Sequence, residues 1–184
     1  MATTVKLYTA DDLAKMPTDE PWEIWDGELR KVPGAGGAAS DLTQWIGMLV
    51  GMVVRPSRLG MVTGADGTYI ILRDPQTIVV PDVAYVNWDR LPGRIRPDGY
   101  IPVPPDLAIE VVSPTDEPGD IAKKQDLYRR AGVPLVWWVY PNRRTVAIFR
   151  NGQLVGEVGE DGELDGEPVL SGFRLPVAKI FEGF

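Results

Sequence analysis

Two acidic residues stand out because each interrupts a segment that is otherwise apolar. The run after Asp106, LAIEVV, is apolar on both alternating faces apart from Glu110, and the segment IVVPDVAYV at 78–86 is apolar apart from Asp82. Such runs are typical of strands that are covered on both sides. A buried carboxylate is strongly unfavourable unless it is paired or binds a metal. Asp82 and Glu110 are therefore candidate site residues.

The helix predicted after Glu110 directs one lysine toward the same sheet. On a projection that starts at Ile121 and advances by about 100° per residue, Lys124 falls at about 300°, within the apolar face that includes Tyr128. Lys123 falls at about 200°, on the side where a solvated basic residue is expected. The sequence therefore predicts that Lys124 points inward and that Lys123 does not.

These side chains fit either a hydrolytic metal site or a buried ion pair. Two carboxylates with a backbone carbonyl suit Mg²⁺ or Mn²⁺, and a nearby lysine can stabilise negative charge or orient an attacking water. Metal-assisted hydrolysis of a phosphodiester uses these groups. The alternatives are an ion pair between Lys124 and one of the acids, or an i,i+4 pair between Asp120 and Lys124. The pattern alone leaves these interpretations open.

Composition narrows the chemistry further. The chain has no cysteine and no histidine, which excludes disulfides, thiolate nucleophiles, Ser-His triads and imidazole metal ligands. Its 184 residues, 44% of them hydrophobic, predict one domain over 1–184. No apolar stretch is long enough to span a bilayer and no signal segment is visible, so we expect a cytoplasmic protein with no membrane contact. The net charge of −7 disfavours indiscriminate binding to nucleic acid but permits a local basic channel.

The first half of the chain is expected to supply scaffold elements. Thr9 is a plausible N-cap for a short helix that ends at Pro17, and Asp26-Gly27 predicts a β-hairpin within 22–32. Ser40 is predicted to cap a long helix with an apolar stripe, and Asp66-Gly67 to turn between two short strands. Pro81 predicts that the strand at 78–86 lies at a sheet edge or carries a bulge.

The second half is expected to contain a βαβ unit followed by a C-terminal hairpin. Pro118 suits the first helical position, Gly132 stops the helix, and the strand PLVWWVY at 134–140 follows. This order predicts a parallel strand pair. Asn151-Gly152 predicts a hairpin, and a final helical turn is expected after Pro176.

The connection between the two acidic strands is about 19 residues long, which is unusual unless a loop is functional or disordered. It carries Arg90, Arg94 and Arg96, which could guide a nucleic-acid backbone or could be ordinary solvated side chains. Trp137 and Trp138 are interpreted as packing residues, as is Tyr128.

The segments described above also carry a family resemblance. The chain resembles the bacterial Uma-type endonuclease family, which is placed in the PD-(D/E)XK, restriction-endonuclease-like superfamily. The matching segments cover nearly the whole chain in order: EIWDGEL (23–29), PDVAYV (81–86), PPDLAIEVVSP (104–114), the D-x-x-x-K-x-x-x-Y spacing of 120–128, GVPLVWWVYP (132–141) and SGFRLPVAKIF (171–181).

This resemblance implies an α/β fold with a mixed central sheet flanked by helices. It also implies a Mg²⁺-dependent endonuclease, with Mn²⁺ as a substitute, that acts on nucleic acid, most directly DNA, and forms a homodimer. The metal would be bound by Asp82, Glu110 and the backbone carbonyl of Val111. The superfamily lysine, normally two residues after the second acid, would be Lys124 in the helix. Glu23 would be an accessory residue.

The chain departs from its relatives at one position. Many of them have a histidine near the start of the long second helix, where this chain has Ser40-Asp41. A catalytically degenerate protein that binds nucleic acid, or a structural protein of the same fold in which the acids pair with Lys124, therefore remains the alternative to an active nuclease.

Overall fold

The computed structural model describes residues 6–17, 21–32 and 34–184, so the start of the N-terminal segment and Pro33 of the predicted connector lie outside the described residues. The helices are α1 (Ala10–Leu13), α2 (Gly37–Val54), α3 (Pro118–Arg130) and α4 (Val177–Ile180). The strands are β1 (Trp22–Trp25), β2 (Glu28–Lys31), β3 (Gly60–Thr63), β4 (Tyr69–Arg73), β5 (Gln76–Val79), β6 (Val83–Asn87), β7 (Leu107–Val111), β8 (Leu135–Tyr140), β9 (Thr145–Arg150), β10 (Gln153–Val158), β11 (Glu163–Asp165) and β12 (Arg174–Pro176). Within these ranges, no helix has the length and apolarity needed to cross a membrane.

The central sheet has six strands in the order β10-β9-β8-β7-β6-β3. Strands β7 and β8 are parallel and are joined through α3, while the other neighbouring pairs are antiparallel. The predicted βαβ unit is therefore confirmed. Since β7 has a neighbouring strand on each side, Glu110 lies in the middle of the sheet.

The predicted strand at 78–86 is in fact two strands in two sheets. Its first part is β5, in a four-stranded antiparallel sheet with the order β2-β1-β5-β4, and its second part is β6 of the central sheet. The chain changes sheets at 80–82, where Pro81 has no N–H with which to continue a ladder. Asp82 therefore lies at the junction of the two sheets, directly before β6.

The middle strands of the central sheet, β6 to β8, are buried on both faces, and strand alternation decides which face each residue occupies. Leu107, Ile109 and Val111 pack with α2 in one core cluster. Ala108 and Trp138 pack with α3 in the other cluster. Because Glu110 has the parity of Ala108, its side chain is on the α3 face. This alternation brings the lone carboxylate of β7 to the helix that carries Lys124.

Several local predictions are confirmed and one is wrong. Asp26-Gly27 and Asn151-Gly152 turn hairpins, with positive φ at each residue of both turns. Ser40 is not the N-cap of α2, because the helix already begins at Gly37, after Gly36. A turn does separate β3 from β4, with the Gly67 N–H donating to the Gly64 carbonyl, although the two strands belong to different sheets.

Candidate active site

Asp82, Glu110 and Lys124 line one cavity, of about 240 Å³. Asp82 precedes β6 and Glu110 lies near the end of β7; the register Val83↔Ile109 places these positions side by side on antiparallel strands. The cavity is closed by β1 and β2, the start of α2, and the loop between β7 and α3. The fold therefore brings together the three residues that the sequence singled out.

Lys124 makes two ion pairs inside this cavity. Its Nζ is 2.9 Å from Glu110 Oε1 and 3.0 Å from Glu23 Oε1. The Lys124 side chain is 12% exposed, whereas that of Lys123 is 36% exposed, which confirms the inward orientation predicted for Lys124 alone. Asp120 pairs with Arg30. The i,i+4 pair between Asp120 and Lys124 is therefore not what the structure forms.

Glu23, predicted as an accessory residue, accepts hydrogen bonds at both oxygens of its carboxylate. Its Oε1 accepts a hydrogen bond from the backbone N–H of Val80 at 2.7 Å, and its Oε2 accepts one from Trp25 Nε1 at 2.6 Å. Together with Lys124, these donors occupy both oxygens of the carboxylate. This arrangement makes Glu23 a residue that fixes the Lys124 ammonium in place, rather than one with an oxygen left for a metal.

Tyr128 is a site residue that the sequence analysis missed. It was interpreted as packing, and it is fully buried, but its hydroxyl donates a hydrogen bond to Glu110 Oε1. The available signal was its position one turn after Lys124, on the same inward face of α3. Lys124 and Tyr128 thus both donate to the same oxygen of Glu110 and fix the orientation of that carboxylate.

The buried acids repel one another. Burial raises the pKa of Glu110 to about 8, with the charges of Asp82 and Glu23 adding to the shift and Lys124 opposing it. Burial likewise raises the pKa of Asp82, against the hydrogen bond from Val111. Burial alone would lower the pKa of Lys124, but Glu110 and Glu23 raise it above its usual value. Burial and mutual repulsion therefore disfavour the ionised forms of Asp82 and Glu110, and a positive charge in the cavity favours them.

The oxygen atoms of this cavity can bind a divalent cation only if a main-chain carbonyl oxygen is one of the ligands. Among the described residues, no three acidic side chains are grouped so as to hold an ion. Asp82 Oδ1 and Glu110 Oε2 receive no hydrogen bond from the described part of the chain, because the bonds to these residues go to Asp82 Oδ2 and Glu110 Oε1.

The Val111 carbonyl can supply the missing oxygen. The N–H of Val111 donates to Asp82 Oδ2 at 2.7 Å, and in an extended strand the carbonyl of a residue points to the same side as its N–H. The paired register of β6 and β7 ends at Val83↔Ile109, so Val111 lies past its last β6 partner, and Pro81 in the chain just before β6 has no N–H to donate to a ladder. Two carboxylate oxygens and one carbonyl oxygen form a donor set that suits Mg²⁺ or Mn²⁺.

The structure does not bring Arg90, Arg94 and Arg96 to this cavity. Arg90 pairs with the buried Asp106 at 2.9 Å, beside the opposite ends of β6 and β7. Arg94 pairs with Asp89 and Arg96 lies over the ring of Trp88. None of the three arginines lines the cavity.

The adjacent tryptophans have different environments. Trp137 lies in the core on the α2 side, as the packing interpretation predicted. Trp138 is also buried, but it lines the cavity beside Glu110 and its Nε1 donates to Gln125 Oε1 at 2.7 Å. It therefore forms an apolar wall of the site.

Replacement of Tyr128 by phenylalanine should test the orientation of Glu110. Tyr128→Phe removes the hydroxyl that donates to Glu110 Oε1, so we expect activity or metal affinity to fall about 10- to 100-fold, the usual effect of losing a residue that orients a ligand. The measurement is the Mn²⁺ concentration that gives half-maximal cleavage.

Tyr85→Phe is the matched control. Tyr85 is also buried, but it lies in the core cluster on the α2 side and does not line the cavity, so removal of its hydroxyl should leave the Mn²⁺ requirement unchanged. An unchanged Mn²⁺ requirement in Tyr128→Phe would show that the tyrosine only packs.

Comparison with known proteins identifies the family. A family model described as "Uma2: Putative restriction endonuclease" matches residues 10–178. A search of curated proteins finds no match. A crystal structure of a "putative nuclease belonging to DUF820" from Anabaena variabilis ATCC 29413 is similar at a TM-score of 0.78 and 22% identity, over 95% of this chain and 98% of that one. The likeness confirms the predicted restriction-endonuclease-like fold, and the chain belongs to the Uma2 family, a membership that supports nuclease as its general class of function.

Proposed function

We propose that this protein is a metal-dependent endonuclease that hydrolyses phosphodiester bonds of nucleic acid, with DNA as the first substrate to test. The observation that carries the proposal is the convergence of Asp82, Glu110 and Lys124 in one cavity. Two carboxylates on adjacent strands, a carbonyl without a ladder partner, and a buried lysine are the groups that hydrolysis of a phosphodiester uses.

Each residue has a distinct role in this proposal. Asp82, Glu110 and the Val111 carbonyl would hold Mg²⁺ or Mn²⁺. When bound, the cation would polarise the phosphate and make a water more acidic. Lys124 holds a positive charge beside Glu110, where it can stabilise the negative charge that develops on the phosphate. Tyr128 and Glu23 keep the Glu110 carboxylate and the Lys124 ammonium in place.

A cleavage assay on the wild-type protein tests the proposal. Labelled single-stranded DNA, duplex DNA, branched DNA and RNA are each incubated with Mn²⁺, with Mg²⁺ and with EDTA. We expect internal cuts in at least one substrate with either cation and none in EDTA. Cleavage that persists in EDTA would contradict the metal requirement, and a failure to cut any of the four substrates would contradict the nuclease.

A second function is favoured by one specific observation. The ion pairs of Lys124 with Glu110 and Glu23 already neutralise much of the acidic cluster, as they would in a degenerate protein that binds nucleic acid or serves as scaffold. Thermal unfolding distinguishes the two candidates, because a ligand that binds only the folded state raises the melting temperature. A rise with Mn²⁺ that Asp82→Asn abolishes supports the metal site, whereas no rise supports the scaffold.

A further inference from the structure

A negatively charged substrate must be attracted to a cavity that contains several carboxylates. In the described part of the chain, the basic residues that line the cavity are Arg30, Lys31 and Lys124. Lys124 lies deep inside and is engaged with two glutamates. Arg30 and Lys31 are at the end of β2, which is an edge strand of the four-stranded sheet and forms one wall of the cavity.

Arg30 is held at the rim of the cavity in an orientation suited to an anion. Its guanidinium lies 5.0 Å from the centre of the Trp25 ring, and Trp25 itself lines the cavity and donates to Glu23. Arginine stacks on aromatic faces and binds phosphate through two parallel N–H donors. The stacking on Trp25 therefore positions the guanidinium without using its donors.

The present partner of Arg30 is weakly bound. Arg30 Nη1 is 3.4 Å from Asp120 Oδ1, and the two side chains are 39% and 51% exposed. Exposed ion pairs of this kind contribute little to stability. Asp120 also lines the cavity, so a phosphate that enters would meet Arg30 at the position of that carboxylate.

We propose that Arg30 binds a backbone phosphate of the nucleic-acid strand that enters the cavity and exchanges Asp120 for that phosphate. This inference rests on the proposed nuclease function and adds a substrate contact at the rim of the cavity, which the loop arginines do not line. Arg30 is a positioning residue here: it fixes the strand relative to Glu110 and Lys124, and it takes no part in the bond that breaks.

The experiment compares Arg30→Ala with Arg94→Ala. Both arginines form exposed ion pairs of similar length, 3.4 Å to Asp120 and 3.3 Å to Asp89, but only Arg30 lines the cavity. Binding of labelled single-stranded and duplex DNA is measured by anisotropy in EDTA over a range of NaCl concentrations. KM and kcat for cleavage are measured in Mn²⁺, and thermal unfolding confirms that each variant is folded.

We expect Arg30→Ala to raise Kd and KM about tenfold with little change in kcat. The slope of log Kd against log salt concentration should also fall by about one, because one fewer counterion is released on binding. Arg94→Ala should match wild type, and Arg30→Lys should fall between wild type and Arg30→Ala because it keeps the charge without the planar fork. Asp120→Asn should lower Kd, since it removes the competing carboxylate.

Other results would overturn the inference. An unchanged Kd and salt slope in Arg30→Ala, or a larger effect from Arg94→Ala, would show that Arg30 does not contact the phosphate, even if wild type cuts normally. Conversely, a wild-type protein that binds DNA through Arg30 in EDTA but does not cut in Mn²⁺ would contradict the proposed nuclease function and support the Arg30 contact. The binding result therefore tests the Arg30 contact, and the cleavage result separately tests the nuclease function.

Discussion

Glu110→Gln is expected to lower the cleavage rate by on the order of 10²–10³-fold while the protein remains folded. Glutamine keeps the size of the side chain and an oxygen that can accept from Tyr128, but it removes the negative charge that a divalent cation requires. The loss should therefore appear in kcat and in the Mn²⁺ requirement. Single-turnover cleavage over a series of Mn²⁺ concentrations measures both.

The fold should tolerate this change because the ionised form of Glu110 is itself unfavourable in the protein. Burial raises the pKa of Glu110 to about 8, above its unfolded value, so ionisation destabilises the folded state as the pH rises from the unfolded pKa toward 8. A neutral glutamine does not ionise. In EDTA, the stability of the variant should consequently vary less with pH over this interval than that of the wild type, as urea unfolding can measure.

Asp106→Asn is the control for a buried carboxylate outside the cavity. Asp106 is 8% exposed and Glu110 is 6% exposed, but Asp106 precedes the other end of β7 and accepts from the Asn87 N–H and Arg90. We expect this variant to lose stability and to keep its kcat within a few-fold. If Glu110→Gln cut as fast as wild type, the proposed site would be wrong.

Lys124→Met is expected to abolish cleavage and to destabilise the fold by about 3 kcal/mol at neutral pH in EDTA. The substitution leaves the Glu23 carboxylate buried without the cation that it contacts and removes a donor to Glu110, and a buried charge whose partner has been removed is strongly destabilising. Chemical unfolding gives the change in free energy, and the same preparations are assayed for cleavage.

Lys123→Met is the matched control, because the residue is adjacent and its side chain faces outward. Its contacts with Glu28 and the Trp25 ring are long, so we expect a change in stability below about 0.5 kcal/mol and normal cleavage.

A double variant separates the structural effect of Lys124 from its catalytic effect. Lys124→Met combined with Glu110→Gln should be at least as stable as Lys124→Met, because glutamine carries no charge that must be buried, but it should recover no activity. Equal stabilities of Lys124→Met and Lys123→Met would contradict the ion pairs described for Lys124.

The sequence by itself was enough to select Asp82, Glu110 and Lys124. A single charged residue in an apolar run is visible without coordinates because burial of a charge is unfavourable, and helical periodicity alone distinguished Lys124 from Lys123. The hairpin at Asp26-Gly27 and the parallel β7 and β8 pair follow from local turn preferences and from the order of strand, helix and strand.

Only the tertiary structure decided which side chains meet those three residues. Tyr128 looks like a packing residue in sequence, because an aromatic side chain on a buried helical face gives no sign of where its hydroxyl points. Glu23 and Arg30 come from a hairpin that is about 90 to 100 residues distant along the chain from their partners in α3, and nothing local in the sequence fixes that docking.

Pro81 shows most clearly how the sequence prediction differs from the tertiary structure. The sequence predicted an edge strand or a bulge, while the structure placed the junction of two sheets there. Because sheet pairing joins residues far apart in the chain, the approach of Asp82 to the Val111 N–H is decided by the register of β6 and β7. Residue type and periodicity therefore determined the candidate chemistry of this protein, and long-range strand pairing determined the oxygen atoms and donors that surround it.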